Sequence, residues 1–360
     1  MPKILTIVGA RPQFVKAAAL SRQLIKVGLD EVLVHTGQHF DENMAEIFFR
    51  QMEIPEPKYN LGINSLSHGA MTGRMLEEIE KVLLVEKPEL VVVFGDTNST
   101  LAGALAASKI HIPVAHVEAG LRSFNMRMPE EINRILADRI SDLLFCPTQT
   151  AVDNLIKEGY SDFDNRVENV GDVMYDVALY YSQFSSERST LPDANLNSQK
   201  PVVLVTLHRQ ENTDNLTRLN SIVNALNILS SDFNIILPIH PRTKKIVEKE
   251  GIDLNFKPID PVGYFDMIEL LKKCAFVITD SGGLQKESFF FKRQCLIIRD
   301  ETEWTELVKL GYNHIVGADT DLIFNMANEV LSDRISFNHK PYGDGNAAVK
   351  IAESLSRFLA

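Results

Sequence analysis

Acidic residues follow three apolar segments in the first half of the chain, an arrangement in which carboxylates can exchange protons with a bound substrate. Asp96 and Glu118 each come directly after a predicted strand, and Glu130 follows Pro129, which begins a predicted helix. Asp96 alone is explained equally well as a helix cap, and carboxylates in a first helical turn are favoured by the helix dipole. As a set, the three carboxylates are suited to acid/base chemistry with separately tuned pKa values.

Basic residues accompany these carboxylates. Arg11 and Lys16 follow the first predicted strand, where an arginine can form a fork of hydrogen bonds to a phosphate. Each is explained equally well as a solvated surface residue. Arg122 lies four residues after Glu118, and Arg134 lies one helical turn after the third carboxylate. This part of the chain could therefore hold an anionic substrate beside its proton carriers.

Two loops in the second half indicate a binding site for a phosphorylated ligand. His208 and Arg209 follow a predicted strand, where they could bind a diphosphate or, for the histidine, carry a proton. Ser281, Gly282 and Gly283 begin a predicted helix, so a hydroxyl and bare backbone N–H groups meet at its positive end. Glu287, about one turn inside that helix, could accept hydrogen bonds from both hydroxyls of a ribose.

Other signatures are missing from the sequence, which narrows the class of enzyme. The N-terminal half contains no G-x-G-x-x-G fingerprint, which disfavours a nicotinamide-dependent dehydrogenase. No Walker lysine pattern or clustered His/Cys spacing is present, so we expect neither ATP hydrolysis nor a metal site. The net charge of −11 argues against nucleic acid or an anionic membrane as a partner.

Composition and cysteine usage indicate a globular cytoplasmic protein. The 360 residues are 45% hydrophobic and 24% charged. Cys146, Cys274 and Cys295 lie far apart in apolar segments, and we expect them to be reduced core residues. The N-terminal apolar run is too short for a signal peptide, and no apolar stretch reaches transmembrane length.

Short apolar strands alternate with amphipathic helices in the first half of the chain. Nearly continuous apolar runs predict strands of a parallel sheet covered on both faces, at residues 3–8, 31–35, 90–94, 113–117 and 142–146. Helical spacing falls between them, at residues 14–27, 66–85, 97–109, 130–140 and 148–157. This alternation predicts a doubly wound α/β domain.

The alternation pauses at residues 185–199, a polar stretch that predicts a surface loop, and then restarts. Further strands are predicted at residues 202–206, 234–238, 256–259, 276–279 and 295–298. We therefore expect an α/β fold of two Rossmann-like domains facing a cleft. The N-terminal domain would comprise residues 1–172 with the C-terminal helix 347–360, and the second domain residues 173–346. Such folds bind ligands at the carboxyl ends of their strands.

Taken in order, the motifs resemble the non-hydrolysing UDP-N-acetylglucosamine 2-epimerase family over essentially the whole chain. The resemblance rests on residues 9–12 with Lys16, 95–97, 117–122, 129–134, 208–209 and 280–283. It implies a glycosyltransferase-B-like fold with the last helix crossing back to the first domain, and inversion at C2 of a UDP-linked acetamido sugar by a homodimer. The C2 proton is removed as UDP leaves, and it returns to the opposite face as UDP adds again. Neither a metal nor a cofactor is implied.

The resemblance also implies roles for individual residues. Its acid/base carboxylates correspond to Asp96, Glu118 and Glu130, and its active-site histidine to His208. Its UDP-binding positions correspond to Arg11, Ser281, Gly282, Gly283 and Glu287. Further substrate contacts are expected from Lys16, Arg122, Arg127, Arg134 and Arg209. Which carboxylate acts on which face of the sugar stays open.

Departures from the family pattern bear on the substrate. Gln13 stands where a glutamate is common, Gln210 where the histidine loop often has a second arginine, and Trp304-Thr305 where many members carry Arg-Pro. These variants, with Arg127 beside the catalytic loop, resemble the branch that acts on UDP-2,3-diacetamido-2,3-dideoxyglucuronate. Arg127 would then bind the C6 carboxylate of the sugar. The alternative is that Arg127 is an ordinary charged residue of the loop. Departures at residues 38–41 leave activation by substrate undecided.

Three other functions compete with a 2-epimerase that supplies surface-polysaccharide precursors. A transferase of the same architecture would share the second-domain nucleotide site but would not require Asp96, Glu118 and Glu130 together. A hydrolysing epimerase would release free N-acetylmannosamine and UDP. A UDP-sugar sensor without activity would tolerate loss of the acidic residues. Fold alone does not separate these functions.

Overall fold

The protein is described by a computed structural model that covers residues 1–38, 55–192, 199–333 and 335–360, with Arg11 described by its backbone only. The chain divides into two compact units. The first comprises residues 1–177 and 340–360, and the second comprises residues 178–339.

The first unit is built on a seven-stranded parallel sheet with the strand order β3-β2-β1-β4-β5-β6-β7. Its strands are β1 Lys3–Val8, β2 Asp30–His35, β3 Tyr59–Asn60, β4 Leu90–Phe94, β5 Val114–Val117, β6 Leu143–Cys146 and β7 Arg166–Asn169. The five predicted strands are confirmed. The edge strands β3 and β7 were not predicted, because they are short and half-exposed and carry no apolar run.

Helices cover both faces of this sheet, as expected when parallel strands are joined by crossovers. They are α1 Arg11–Lys26, α2 His68–Glu86, α3 Asn98–Lys109, α4 Pro129–Arg139, α5 Gln149–Lys157, α6 Val173–Ser182 and the C-terminal α15 Ala347–Phe358. A short 3₁₀ turn, Tyr160–Asp162, follows α5. The helix α6 runs across the boundary between the units, and α15 packs against α1.

The second unit contains a five-stranded parallel sheet with the order β12-β11-β10-β8-β9. Its strands are β8 Val202–Thr206, β9 Asn234–Ile236, β10 Phe276–Thr279, β11 Cys295–Ile297 and β12 Asn313–Ile315. The strand predicted at residues 256–259 is wrong. Only Ile259 pairs, in an isolated bridge with Pro238, because prolines at 258 and 261 interrupt the backbone donors.

Helices again connect the strands of the second unit. They are α7 Ser185–Arg188, α8 Gln210–Thr213, α9 Leu216–Leu229, α10 Pro241–Lys249, α11 Tyr264–Lys273, α12 Gly282–Phe290, α13 Thr305–Lys309 and α14 Thr320–Ser332. The loop predicted at residues 185–199 therefore begins with a helical turn. Its residues 193–198 lie outside the described part of the chain.

Each sheet packs its own hydrophobic core, and its central strands are held in place by that core. Every residue of β4 is completely buried, as are the central residues of β8 and β10. Burying one such aliphatic side chain stabilises the fold by roughly 1.5–3 kcal/mol. The three cysteines are free and buried, as predicted. Among the described residues, no helix is both long and apolar enough to cross a membrane.

Candidate active site

The loop after β1 is fixed by the buried side chain of Gln13. Its Oε1 accepts hydrogen bonds from the N–H groups of Gly9 and Ala10, at 2.8 and 3.0 Å. Its Nε2 donates to the Phe94 carbonyl at 2.6 Å. Gln13 thus ties the loop after β1 to the end of the adjacent β4, a role that the sequence did not reveal. A Cβ at Gly9 would overlap the Ser99 hydroxyl, so glycine is required there by packing.

Lys16 and Glu118 form an ion pair between α1 and the end of β5. Their side chains are only 10% and 8% exposed, so the pair is weakly screened by solvent. Glu118 has a φ of 71°, a left-handed conformation that is strained for a residue with a Cβ. Its Oε2 lies 3.4 Å from the position that a Cβ on Gly95 would occupy. The strand ends of β4 and β5 therefore place the Glu118 carboxylate directly over the glycine that precedes Asp96.

Asp96 is held by two residues of α4. Its carboxylate pairs with the Arg134 guanidinium, and its backbone carbonyl accepts a hydrogen bond from Asn133 Nδ2 at 3.0 Å. Arg134 also pairs with Glu131 at 2.8 Å. The Asp96 side chain keeps 32% of its surface exposed. It is thus ion-paired but still accessible at the edge of the sheet.

Glu131 organises the loop that enters α4. Its carboxylate accepts from the backbone N–H groups of Ser123 and Phe124, at 2.9 and 2.8 Å, and from the Ser123 hydroxyl at 2.9 Å. Burial raises the pKa of Glu131, but these hydrogen bonds and the charge of Arg134 outweigh it and lower that pKa below its usual value of 4.5. A carboxylate with these partners positions the loop.

Glu130 and Arg127 are the exposed members of the predicted set. Glu130 lies in the first turn of α4, and Arg127 lies in the loop before it. The backbone N–H of Arg127 donates to Asn125 Oδ1 at 3.1 Å. Within the described ranges, neither side chain has a hydrogen bond or an ion pair, so both groups are available to a ligand.

Arg122 occupies a different environment from the other predicted contacts. Its guanidinium has no exposed surface and donates to Asp138 Oδ2 at 2.7 Å and to Glu158 at 2.7 and 2.8 Å. Asp138 also accepts from the N–H of Gly120 at 3.1 Å. Arg122 is therefore part of the packing beneath the loop that carries the Glu118 carboxylate.

In the second unit, the fully buried carboxylate of Asp280 fixes the loop after β8. Its Oδ2 accepts from the N–H groups of His208 and Arg209, both at 2.9 Å. Its Oδ1 lies 3.3 Å from Nδ1 of His208, whose side chain is 39% exposed. Asp280 thus holds the backbone of the loop that carries His208, a role that the sequence analysis missed. An acidic residue directly after a strand was the available signal.

Ser281, Gly282 and Gly283 form the start of α12, as the sequence predicted. The Ser281 hydroxyl caps the helix by accepting from the N–H of Leu284 at 3.4 Å. A guanidinium nitrogen of Arg209 lies 3.8 Å from where a Cβ on Gly282 would stand. A helix N-terminus, a hydroxyl and an arginine thus meet at one point, which is suited to a phosphate group.

Trp304, one of the residues that depart from the expected pattern, lies against this helix start. Its indole N–H donates to the Gly282 carbonyl at 2.8 Å, and the ammonium of Lys286 lies 4.4 Å from its ring centroid. Arg299, largely buried, pairs with Glu303 at 3.0 Å. Trp304 thus packs against the helix start, and Arg209 supplies the neighbouring positive charge.

Glu287 is half-buried within α12 and interacts electrostatically with Tyr264. Burial, followed by the charge of Glu287, raises the pKa of Tyr264.

Residues 39–41, where the sequence departs from the family pattern, lie outside the described residues. No group of three or more His, Cys, Asp or Glu residues that could hold a metal ion is found in the part of the chain described here.

The predicted residues thus fall into two sets. The first unit brings together Lys16, Asp96, Glu118 and Arg134 at the carboxyl ends of adjacent parallel strands, with Glu130 exposed on α4. The second unit brings together His208, Arg209 and residues 281–283 after the adjacent strands β8 and β10.

Each of the two α/β units contains a parallel sheet with one of these sets of polar residues at its strand ends. This architecture is that of an α/β enzyme of the glycosyltransferase-B-like class. The fold is shared with the spinosyn rhamnosyltransferase SpnG, which is 12% identical with a TM-score of 0.57 over 99% of this chain and 96% of that chain. The structure of the UDP-GlcNAc 2-epimerase of Methanocaldococcus jannaschii, in complex with UDP-GlcNAc and UDP, is 44% identical. It covers 99% of each chain with a TM-score of 0.83.

The sequence comparisons identify the family. The profile of UDP-N-acetylglucosamine 2-epimerase matches residues 23–356. The UDP-2,3-diacetamido-2,3-dideoxy-D-glucuronate 2-epimerase of Pseudomonas aeruginosa is 56% identical over 99% of this chain and 100% of that protein. The chain belongs to the UDP-N-acetylglucosamine 2-epimerase family. Because epimerases are isomerases, isomerisation is its reaction class, and the family predicted from the motifs is confirmed.

Proposed function

We propose that the protein inverts C2 of a UDP-linked acetamido sugar by eliminating UDP and adding it back. The observation that carries this proposal is the set of carboxylates at the strand ends of the first unit, Asp96, Glu118 and Glu130. A carboxylate takes the C2 proton, the C1–C2 double bond forms, and the C1–O bond breaks with its electron pair leaving on UDP. A second acid on the opposite face then donates a solvent-exchangeable proton to C2 as the UDP oxygen bonds to C1.

The ion pairs of the first unit support this chemistry. Lys16 beside Glu118 and Arg134 beside Asp96 hold the two carboxylates in place at the ends of adjacent strands. Glu130 has no protein partner among the described residues and is free to meet a ligand. We assign no face of the sugar to a particular carboxylate.

The second unit supports retention of UDP during the reaction. We propose that the diphosphate binds at Ser281, Gly282 and Gly283 with Arg209, and that the ribose hydroxyls donate to Glu287. His208, whose backbone N–H donates to the buried Asp280, would face the departing oxygen. Arg11 would contribute a further contact to the phosphates.

We assign Arg122 a positioning role, since its fully buried guanidinium already serves Asp138 and Glu158. We also propose that the protein acts as a cytoplasmic homodimer that supplies surface-polysaccharide precursors. Exposed apolar side chains on the first unit, Ile132 and Leu136 of α4, support the dimer. Sedimentation equilibrium would test it, and a monomer at all concentrations would contradict it.

A second candidate concerns the sugar itself. The Pseudomonas aeruginosa relative named for the diacetamido uronate is 56% identical, whereas the archaeal enzyme bound to UDP-GlcNAc is 44% identical. Arg127 is exposed on the loop before Glu130 and could pair with a C6 carboxylate. We propose UDP-2,3-diacetamido-2,3-dideoxyglucuronate as the specific substrate.

The Arg127→Ala variant tests this assignment. It should lower kcat/KM for the uronate by about ten-fold or more, as expected for loss of an ion pair to a charged ligand, and leave UDP-GlcNAc turnover nearly unchanged. Lys109→Ala removes another exposed positive charge, at the far end of α3, and serves as the control. Equal losses for both sugars in Arg127→Ala would contradict the role.

Product analysis tests the function as a whole. Proton NMR of reactions with UDP-GlcNAc and with the uronate should show an intact nucleotide sugar of manno configuration. Free N-acetylmannosamine with UDP would instead indicate a hydrolysing epimerase. No reaction with either sugar would favour a transferase or a sensor and overturn the proposal.

A further inference from the structure

Three consecutive backbone carbonyls lead into Asp96, and a buried side chain from a different element donates to each of them. The carbonyl of residue 94 accepts from Gln13 at 2.6 Å, that of residue 95 from His116 at 2.7 Å, and that of residue 96 from Asn133 at 3.0 Å. The donors belong to α1, β5 and α4. The backbone that presents the Asp96 carboxylate is therefore fixed from three directions.

His116 differs from the other two donors because both of its ring nitrogens face acceptors. Nε2 lies 2.7 Å from the Gly95 carbonyl, and Nδ1 lies 2.7 Å from Asp138 Oδ1. The other carboxylate oxygen of Asp138 accepts from the N–H of Gly120 and from the Arg122 guanidinium, with which it forms a second ion pair. A carbonyl and a carboxylate cannot donate, so both ring nitrogens must carry hydrogen, and the ring is an imidazolium.

The surroundings of His116 agree with this protonation state. Burial alone lowers the pKa of His116, but the hydrogen bond and charge of Asp138, the Gly95 carbonyl and the charge of Glu118 outweigh it and raise the pKa above 6.5. The side chains of His116 and Asp138 have no exposed surface. Arg122 is the positive group that shares Asp138 with the imidazolium.

This network joins the two loops that carry the proposed acid/base groups. His116 holds the Gly95 carbonyl, one residue before Asp96. Asp138, its partner, holds the N–H of Gly120, two residues after Glu118. The two carboxylates are thus connected through one buried ion pair between β5 and α4.

We propose that His116 is a positioning residue for the epimerisation, whose imidazolium, paired with Asp138, fixes Asp96 and Glu118 in one geometry. This inference rests on the proposed function. His116 does not touch the substrate, so its loss affects turnover and its pH dependence more than the binding of UDP.

Two substitutions at position 116 separate the parts of this role. In His116→Asn the side-chain amide can reach the place of Nδ1 and keep the bond to Asp138, but the Gly95 carbonyl loses its donor. In His116→Gln the amide can reach the place of Nε2 and keep the Gly95 bond without the charge. We expect His116→Asn to lower kcat by about ten- to a hundred-fold, as small displacements of catalytic groups do, and His116→Gln to recover part of the loss. The dissociation constant of UDP, measured by calorimetry, should stay within about two-fold of the wild-type value, because His116 does not contact the bound nucleotide.

The charge is tested separately with Asp138→Asn. An asparagine can donate to Nδ1, which leaves a neutral imidazole that still holds the Gly95 carbonyl. The variant removes the imidazolium and the carboxylate together, and kcat should fall although the bond to the Gly95 carbonyl is kept. His111→Asn, at an exposed histidine before β5, is the matched control and should change neither kcat nor the pH profile.

Nitrogen-15 NMR of the wild-type imidazole tests the inference without any turnover. Both ring nitrogens of His116 should be protonated at a pH above about 6.5, where an ordinary histidine is neutral. A single protonated nitrogen there would overturn the proposal, whether or not the variants fold. So would a folded His116→Asn variant with wild-type kcat and pH profile. Absence of C2 chemistry in the wild-type protein, with an imidazolium present, would overturn the proposed function instead.

Discussion

Replacing Gln13 by alanine removes the side chain that connects the loop after β1 to the end of β4. In the native protein, its Oε1 accepts from the N–H groups of Gly9 and Ala10, and its Nε2 donates to the Phe94 carbonyl. The Phe94 carbonyl keeps a second donor, the Thr100 hydroxyl at 2.6 Å. The variant therefore leaves two buried N–H groups without an acceptor.

The expected loss of stability follows from that count. An unsatisfied buried donor costs about 1–3 kcal/mol, so two of them cost about 2–6 kcal/mol before any water enters. We expect the free energy of unfolding of the first unit to fall by about 3 kcal/mol in Gln13→Ala. Gln13→Glu keeps the acceptor for both N–H groups and should lose less.

Urea unfolding followed by two probes measures this effect. Trp304, the single tryptophan, lies in the second unit, so its fluorescence reports that unit while circular dichroism reports both. Gln23→Ala, in the same helix, loses only an exposed hydrogen bond to Lys26 and should stay within about 0.5 kcal/mol of wild type. Equal free energies of unfolding for Gln13→Ala and Gln23→Ala would refute the role of Gln13.

Three further predictions concern buried charges. Glu131, whose pKa is lowered, stabilises the fold above its unfolded pKa of 4.5 and loses this effect as the pH falls through the folded pKa. Glu131→Gln should therefore cost about 1–3 kcal/mol at neutral pH and little in acid, by urea titration at each pH. Burial raises the pKa of Asp176 from 3.8 to about 6, so its stabilising effect is full below pH 3.8 and is lost as the pH rises through the folded pKa of about 6. Asn keeps only one of the two acceptors that Asp176 offers to the N–H groups of Ala347 and Ala348, so the pH dependence is the test. The free energy of unfolding of wild type relative to Asp176→Asn should rise as the pH falls from neutral to 3.8, and a difference independent of pH would contradict this. Lys16→Met should cost about 3 kcal/mol by removing the buried ion pair with Glu118, and a Lys16→Met/Glu118→Gln double variant that regains none of it would contradict the role of this pair.

Long apolar runs made most of the fold predictable. The strands β1, β4, β8 and β10 were predicted with their observed bounds, because parallel strands covered on both faces are apolar at every position. The short β12 has no such signal, since its pairing with β11 is decided by the rest of the sheet. Residues 256–259 show the opposite case, a run that was predicted as a strand but does not form one. Prolines limit its pairing, and only Ile259 forms a bridge.

The site was predictable where residue type and position after a strand coincide, as for Asp96 and Ser281. Its supporting contacts were not, because they join residues far apart in sequence. Gln13 meets the Phe94 carbonyl across 81 positions, and the environment of Arg122 depends on Glu158, 36 residues away. A sequence shows that an arginine is present near the carboxylates, but only the packing shows that its guanidinium is already occupied.

Incorporation of deuterium at C2 tests the central claim most directly. The protein is incubated in D₂O with UDP-GlcNAc and, separately, with UDP-2,3-diacetamido-2,3-dideoxyglucuronate, and the C2 proton signal is followed by NMR. We predict that deuterium enters C2 of the accepted sugar together with formation of its manno-configured nucleotide. An epimerised product that retains its C2 proton, or no change in either sugar, would contradict proton removal by the carboxylates of the first unit.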